Sequence, residues 1–420
     1  MFVLVYVALA ITVGLTVMLA EFCLGRASRK NAVGAFRVLA KNPFWQIVGW
    51  IGLLVGGFII LSYYGIIAGW TIKYMVGSFT GLMDAAAAGK SGDVLNAFLA
   101  DSRNMIMYQV IAMLACIVIV AGGVGKGIER ACKILMPALF ILLLVLIVRA
   151  VTLPGAREGI VFYLKPDFSK LSGKSILDAL SQGFFSLSLG MGIMITYGSY
   201  LDKKSNLTSS VAQIGGFDLG VSFLAGLMIV PAAFVAMGSG DAVAAKAGPS
   251  LMFITLPSVF NNMGNVATII GFLFFLLVLF AALTSAISLV ETCVSIIQDG
   301  AGFSRMKSFV IVMAVVIVAG IFINLGYNHL SFVQPLGEGS SILDSFDFIS
   351  NSVLMPIVAL LTCVFVGWII KPETLIEEVK VSSAFKLEKA WVIMIKYVAP
   401  VLVTVILIAY VGAQFGIFKF

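Results

Sequence analysis

Two clusters of small and hydroxyl-bearing residues lie inside long apolar stretches of the sequence, and their oxygen atoms are the best candidates for binding chemistry. The first cluster runs from Gln182 to Gly192 and reads QGFFSLSLGMG. Glycines weaken a helix, and a helix interrupted inside a membrane is tolerated only around a cavity, where its freed carbonyl groups can coordinate a cation. The equally weighted alternative is a face of small residues on which two helices pack.

The second cluster, residues 281–288, reads AALTSAIS. The hydroxyl groups of Thr284 and Ser285, together with backbone carbonyls, are oxygen ligands that suit a hard cation such as Na⁺. Helix packing is again the alternative, and the pattern alone favours it. In another apolar stretch, the phenol of Tyr63 or Tyr64 could donate a hydrogen bond to a carboxylate, or the pair could simply contact a neighbouring helix.

Acidic residues inside apolar stretches are the third kind of candidate. They are Glu21, Asp218, Glu291 and Asp347. An ionised side chain at the centre of a membrane helix costs ~2.5–3.5 kcal/mol on insertion scales, so such residues suggest function by default. We expect Glu21 and Asp347 to lie near the membrane surfaces, where that cost falls, and therefore favour Asp218 and Glu291 as functional residues.

Composition identifies the environment of these residues as lipid. The chain of 420 residues is 61% hydrophobic and 11% charged, with a mean hydropathy of +1.10. A soluble domain has about a quarter of its residues charged, so the surface of a soluble protein could not be covered here. We therefore expect an integral membrane protein whose residues 1–420 form one transmembrane domain.

The apolar runs are each much longer than the ~10 residues that a membrane-spanning strand needs, so they predict helices. The runs are 2–22, 46–77, 105–122, 134–153, 179–200, 208–237, 265–297, 308–325, 346–370 and 391–415. The predicted fold is thus all-α, a polytopic helical membrane protein with about ten transmembrane helices.

Lys and Arg are concentrated in alternate loops, after the first, third, fifth, seventh and ninth apolar runs. The positive-inside rule puts these loops in the cytoplasm and both chain termini outside it, in a cell (plasma or inner) membrane. The formal net charge of +7 is then a signal of topology and needs no nucleic-acid partner to explain it.

Other classes of function lack their signatures. The five cysteines have no metal-ligand spacing, and we expect buried thiols rather than disulfides. The sequence contains no nucleophile–base pair, metal motif or phosphate-binding loop, so we do not expect an enzyme.

Several ordered motifs extend over nearly the whole chain. They are LAEFCLGR at 19–26, GKGIER at 125–130 with Met136-Pro137, residues 184–192 followed by TYGSY at 196–200, GPSLMFITLP at 248–257, and residues 281–289. In order and spacing, these motifs resemble the neurotransmitter:sodium symporter family, in particular its bacterial sodium-dependent amino-acid transporters.

The resemblance implies a fold of two inverted five-helix repeats, in which the first helix of each repeat is broken at the binding site. Residues 186–192 would then belong to the family's sixth helix. Only four apolar runs precede them. The resemblance therefore also implies that this chain lacks the family's first helix, which contributes to both sodium sites and to substrate binding.

The resemblance also assigns roles to individual positions. One sodium site matches Ser186 and Asp218, and the other matches Ala281, Thr284 and Ser285. The tyrosine that holds the substrate carboxylate matches Tyr64. The pocket for the substrate side chain matches Ile60, Phe185, Ser188, Met191, Ser285 and Leu289, beside Ser186.

Gating and anion positions follow from the same resemblance. Asp347 matches an acidic residue of the outer gate and Asp299 one of the inner gate, and the arginine partners of both would belong to the absent helix. The positions that hold chloride in chloride-dependent members match Tyr6, Gln182, Ser186 and Ser222. We expect Asp218 to supply the negative charge that chloride supplies elsewhere.

The function implied is sodium-coupled symport of amino acids by alternating access, with Na⁺ as the coupling ion and no organic cofactor. Met191 replaces a bulky aromatic residue of some relatives, and because Met is flexible we expect hydrophobic L-amino acids as substrates. The expected partners are this small-molecule substrate and the lipid bilayer. The alternative is a truncated membrane protein, derived from such a transporter, that does not transport.

Overall fold

The computed structural model describes residues 1–244, 248–261 and 263–418, and every regular element in these ranges is helical. In chain order the helices are α1 (Phe2–Ser28), α2 (Ala32–Leu39), α3 (Pro43–Gly77), α4 (Leu82–Ala87), α5 (Ser91–Ala100), α6 (Ser102–Ala121), α7 (Val124–Val151), α8 (Ala156–Leu164), α9 (Gly173–Ser186), α10 (Ile193–Tyr200), α11 (Leu207–Met237), α12 (Gly240–Ala244), α13 (248–261), α14 (Ala267–Ala301), α15 (Arg305–Leu325), α16 (Ile342–Ile369), α17 (Pro372–Lys380) and α18 (Glu388–Gln414).

Nine helices in the described residues are long and apolar enough to cross a membrane. They are α1, α3, α6, α7, α11, α14, α15, α16 and α18. The remaining predicted run, 179–200, is divided between α9 and α10, which are separated by a non-helical segment from Leu187 to Gly192. The prediction of an all-α, polytopic membrane fold is therefore confirmed, and so is the predicted interruption of the run 179–200.

Polar side chains at helix starts define where several helices begin. Asn31, Asp101, Ser172, Asn206, Ser304 and Ser341 each accept a hydrogen bond from a backbone N–H in the first turn of the helix that follows. Such caps satisfy donors that have no partner within the helix. The caps therefore fix the boundaries between loops and spans that hydropathy leaves approximate.

Helix α10, the second helix of the interrupted pair, packs closely against α1. Gly25 of α1 faces the backbone of Ile195, and Gly198 of α10 faces the backbone of Phe22, so that a Cβ atom at either glycine would collide with the opposite main chain. Further contacts join α14 to α3 and α7, and α3 to α6. Through these contacts, α1, α3, α7 and α14 surround the interruption.

Arg26 corrects one feature of the predicted topology. The first apolar run ends at residue 22 and so predicts Arg26 in the loop that follows, yet α1 continues to Ser28 and Arg26 is fully buried. Its guanidinium pairs with Glu378 of α17 (Nε–Oε1 2.7 Å) and donates to the carbonyl oxygen of Ser205 at 2.7 Å and to Ser382 at 3.1 Å. It also donates to the carbonyl oxygen of Glu378. The ion pair and hydrogen bonds of Arg26 therefore hold α17 against the end of α1.

Most of the cysteines are buried thiols, as the sequence predicts. All five are free thiols, and four of them are buried, while Cys132 is partly exposed.

Candidate functional site

The segment between α9 and α10 owes its shape to three residues with positive φ. These are Ser188 (φ 54°), Gly190 (φ 73°) and Gly192 (φ 74°). Glycine adopts this left-handed conformation without strain, whereas a residue with a side chain is disfavoured by about 1–2 kcal/mol. The two glycines therefore explain why the helix stops here, in the middle of an apolar run.

Glu21 of α1 forms a hydrogen bond with the backbone of the interrupted segment. Its Oε1 atom accepts a hydrogen bond from the backbone N–H of Gly190 at 2.9 Å, and its side chain is completely buried. Its Oε2 atom has no partner among the described residues. The expected position of Glu21 near a membrane surface stays a prediction, but the carboxyl group is enclosed by protein instead of solvated. The packing of α1 on the interrupted pair brings this carboxyl group to a backbone donor that the helix leaves free.

A cavity of about 760 Å³ lies beside the interruption, and we call it the central cavity. Its wall includes every position that the sequence assigned to substrate binding: Ile60, Tyr64, Phe185, Ser186, Ser188, Met191, Ser285 and Leu289. Its volume falls within the usual range for small-molecule sites. The structure thus brings residues from α3, the α9–α10 region and α14 to one cavity, while their roles in binding stay predictions.

Further residues line the central cavity that the sequence did not assign to substrate binding. Cys132 and Met136 come from α7, while Tyr197 and Tyr200 come from α10. The hydroxyl of Tyr197 donates to Ser288 of α14 at 3.1 Å. Spacing on α10 could have suggested that Tyr197 and Tyr200 share a face, but nothing local in the sequence indicates which helix they contact.

The oxygen atoms of the first proposed sodium site are close together. The hydroxyl of Ser186 donates to both carboxylate oxygens of Asp218, at 2.8 and 2.9 Å. Both residues line the central cavity. The hydroxyl of Tyr6 approaches the same carboxylate at 3.4 Å. A hydroxyl and a carboxylate at the end of an interrupted helix are a donor set that a hard cation can use.

Three of the four positions matched to an anion site line a second cavity, which has a volume of about 300 Å³ and lies next to the Asp218 carboxylate. Tyr6, Gln182 and Ser222 line it, and Gln182 also lines the central cavity. The structure thus places Tyr6 and Ser186 on Asp218 itself, which is the arrangement expected if a carboxylate replaces an anion.

The residues of the second proposed sodium site lie on an uninterrupted helix. Thr284 and Ser285 line the central cavity, whereas Ala281 does not. The carbonyl oxygen of Ala281 nevertheless accepts from the Thr284 hydroxyl at 2.9 Å, so these two oxygen atoms are neighbours. No group of three or more His, Cys, Asp or Glu suited to a metal ion occurs in the ranges that the structure describes.

The two gate aspartates lie apart from the central cavity, and each has an amide partner. Asn351 donates to Asp347 at 2.7 Å and approaches the hydroxyl of Tyr63 at 3.4 Å. Asn31 donates to Asp299 at 3.0 Å. Both aspartates are exposed, where water lowers the cost of their charge. Their roles as gates stay predictions.

Glu291 has two side-chain partners, a guanidinium and a phenol. Its side chain is completely buried and forms an ion pair with Arg305 of α15 (Oε2–Nη2 2.5 Å). The hydroxyl of Tyr200 donates to its Oε1 atom at 2.9 Å. Glu291 therefore connects α10, α14 and α15 near the predicted cytoplasmic end of the bundle.

Comparison with known proteins identifies the family of this chain. A model of the family described as "Sodium:neurotransmitter symporter family" matches residues 1–92 and 94–416. An uncharacterized sodium-dependent transporter of Haemophilus influenzae is 35% identical, covering 97% of this chain and 90% of the relative. The uncharacterized sodium-dependent transporter YhdH of Bacillus subtilis is 36% identical, covering 98% and 90% respectively.

A solved structure is also similar. The crystal structure of MhsT in complex with L-phenylalanine superposes with a TM-score of 0.87 at 37% sequence identity, covering 97% of this chain and 91% of that chain. Its agreement in fold extends over the same helices that surround the central cavity. The chain belongs to the sodium:neurotransmitter symporter family, as a multi-pass membrane transporter and not an enzyme.

Proposed function

We propose that this chain is a Na⁺-coupled symporter of hydrophobic L-amino acids. The observation that carries the proposal is the central cavity, because all of the positions assigned to substrate binding line it together with oxygen donors from two helices. MhsT, which is similar over nearly the whole chain, binds L-phenylalanine in its crystal structure.

The wall of the central cavity supports an apolar substrate with one polar end. Ile60, Phe185, Met191 and Leu289 offer apolar surface, on which a hydrophobic side chain would pack. The Tyr64 hydroxyl, in the same cavity wall as Ser285, would donate to the substrate carboxylate. Small polar amino acids would bind more weakly because they bury less apolar surface.

Coupling to Na⁺ is proposed to use the two groups of oxygen atoms. Ser186 and Asp218 would hold one ion, and Ala281, Thr284 and Ser285 would hold the other. In the described structure these oxygen atoms are hydrogen-bonded to each other, so ion binding would replace those hydrogen bonds. Each charge that enters with the substrate contributes ~2.3 kcal/mol per 100 mV of membrane potential.

The interruption is proposed to serve as the hinge for alternating access. Non-helical backbone lets α9 and α10 move independently, and Glu21 holds only the segment between them. Tyr200 and Glu291 connect α10 to α14, and this connection would have to break when the cytoplasmic side opens. We place the protein in a cell membrane with both termini extracytoplasmic, following the distribution of Lys and Arg.

Asp218 is proposed to make transport independent of chloride. Its carboxylate accepts hydrogen bonds from Ser186 and Tyr6, two of the positions that would otherwise surround chloride. Asp218→Asn should therefore introduce a chloride requirement, which can be measured by replacing chloride with gluconate. Uptake by the wild-type protein that already fails in gluconate would contradict this part of the proposal.

The experiment that tests the function is uptake of labelled L-phenylalanine into proteoliposomes that contain this chain. We expect uptake with an inward Na⁺ gradient and none with K⁺ in its place. Tyr64→Phe should weaken uptake, whereas Tyr108→Phe, which changes a tyrosine that does not line the central cavity, should leave it unchanged.

Competition then tests the substrate class. Unlabelled Leu and Trp should displace L-phenylalanine better than Gly or Ser does, and the reverse order would contradict the proposal. The alternative drawn from the sequence, a truncated membrane protein without transport activity, has no observation in its favour. If no amino acid shows Na⁺-dependent uptake, the truncated, non-transporting protein becomes the better interpretation.

A further inference from the structure

We propose that a cavity at the predicted extracytoplasmic end of α3 binds a small monovalent anion, at a site separate from transport. The cavity has a volume of about 120 Å³, and we call it the α3–α5 cavity. It is lined by Lys73, Tyr74, Gly77, Thr80, Gly81, Leu82 and Val94. None of these residues lines the central cavity.

Lys73 brings an uncompensated positive charge to the α3–α5 cavity. It lies near the end of an apolar span and is partly exposed. Lys73 forms no ion pair with the residues that the structure describes. Its ammonium nitrogen lies 5.9 Å from the centroid of the Tyr108 ring, near the limit for a cation–π contact.

Tyr74 brings a hydrogen-bond donor with no acceptor. Its side chain is only 1% exposed, and its hydroxyl oxygen has no hydrogen-bond partner in the described part of the chain. The ring packs against Phe253 and Phe275, with centroid distances of 4.8 and 5.3 Å, so it cannot turn towards solvent. A buried hydroxyl without a partner is rare in proteins and calls for a ligand or a bound solvent molecule.

These two groups together specify the charge of the ligand. An ammonium group can only donate hydrogen bonds, and a phenol without an acceptor needs one as well. Among the described residues, no acidic side chain lines the α3–α5 cavity, so an anion meets no repulsion from the lining, whereas Lys73 would repel a cation. A water molecule could satisfy the phenol, but an anion would in addition pair with the charge of Lys73.

The size of the α3–α5 cavity limits the ligand to a halide or a small carboxylate. The glycines at positions 77 and 81 leave the space, while Leu82 and Val94 close it with apolar surface. The hydroxyl of Thr80 donates to the carbonyl oxygen of Val76 at 3.3 Å, so it is already used. Binding would connect the end of α3 to the α4–α5 segment, because the lining residues come from all three helices.

Equilibrium binding of radioactive chloride to the purified full-length chain, in gluconate buffer, tests the proposal directly. We expect saturable binding that Lys73→Met weakens at least about tenfold, since it removes a charged hydrogen-bond donor. Lys73→Arg should retain binding. Lys90→Met, which changes an exposed lysine on the same side that does not line the α3–α5 cavity, should bind as the wild-type protein does.

Tyr74→Phe is the second variant, because it keeps the packed ring and removes only the hydroxyl. It should weaken chloride binding about two- to tenfold, and it remains informative if Lys73→Met does not fold. Competition with acetate distinguishes a halide site from a carboxylate site, and displacement by either anion supports the proposal. Anomalous diffraction from bromide should place the ion between the ammonium of Lys73 and the hydroxyl of Tyr74.

Two results would overturn the proposal. One is an absence of saturable binding by chloride or acetate. The other is binding that Lys73→Met and Tyr74→Phe leave unchanged but Ser222→Ala abolishes, which would assign the anion to the cavity beside Asp218. Neither result depends on transport, so the proposal and the symporter function can fail independently.

Discussion

The α9–α10 pair and α14 contribute similar residues to the central cavity, yet one is interrupted and the other is continuous. Both contain serine among small and apolar residues. The difference is glycine: Gly190 and Gly192 adopt positive φ, whereas residues 281–288 contain no glycine and remain helical. In α14, the hydroxyls of Thr284 and Ser288 donate to carbonyl oxygens one turn earlier, at 2.9–3.3 Å, and so are satisfied within the helix.

The comparison shows that backbone groups at an interruption lose their partners within the helix and must be hydrogen-bonded by neighbouring helices. Gly190 has its N–H satisfied by Glu21, from a distant part of the chain. Thr284 and Ser288 need no such support, because their hydroxyls already have acceptors in their own helix. We therefore expect changes at the interruption to damage both folding and transport, and changes on α14 to affect mainly ion binding.

Gly190→Ala should have the largest effect. A Cβ atom there would lie 2.6 Å from the carbonyl oxygen of Met355, and the left-handed conformation alone disfavours alanine by about 1–2 kcal/mol. We expect loss of uptake and a clearly lower midpoint of thermal unfolding in detergent. Gly183→Ala on α9 is the matched control, since its Cβ meets no atom within 4 Å and should be tolerated. Normal uptake by Gly190→Ala would show that the interruption does not need its present backbone shape.

Glu21→Ala should have the next largest effect. It leaves the N–H of Gly190 buried without an acceptor, which costs about 1–3 kcal/mol. Glu21→Gln keeps an acceptor oxygen and should retain most of the stability. Unfolding by denaturant, followed by circular dichroism, measures both variants. If alanine and glutamine reduce stability equally, the charge of Glu21 matters rather than its hydrogen bond.

Thr284→Val should leave folding intact and weaken Na⁺ coupling. It removes one proposed ligand while keeping the branched shape, so we expect the Na⁺ concentration for half-maximal uptake to rise about three- to tenfold. Thr292→Val is the control on the same helix, since Thr292 donates to the carbonyl oxygen of Ser288 at 2.9 Å and does not line the central cavity. An equal rise in both variants would argue against a sodium ligand at Thr284.

Met191→Phe should have the narrowest effect, limited to substrate choice. Met191 is buried in the wall of the central cavity, and a larger, stiffer ring there would reduce the space for the substrate side chain. We expect the ratio of kcat/KM for Phe over Ala to fall about tenfold. Met194→Leu conserves volume and should leave the ratio close to the wild-type value. A higher ratio for Met191→Phe would mean that the side-chain pocket lies elsewhere.

Much of the site could be predicted because the family motifs place residues on helices whose packing is shared. Ile60, Phe185 and Leu289 were assigned by resemblance, and they do line one cavity. The position of Glu21 could not be predicted in this way, since hydropathy locates a residue along a span but not the neighbour that it meets. The same limit applies to Arg26, which the sequence placed in a loop and the structure buries.

The sequence by itself determined that the chain is helical and which stretches are long and apolar enough to cross a membrane, and it marked residues 182–192 as a place where a span could be interrupted. Hydrophobic length and the conformational freedom of glycine are properties of a short segment, so they can be recognised without knowledge of the fold. Only the tertiary structure decided which polar groups meet. Arg26 and Glu378 are 352 residues apart, and Glu21 and Gly190 are 169 apart. Such partners are selected by helix packing, because a buried polar group must find its acceptor in whichever helix lies beside it.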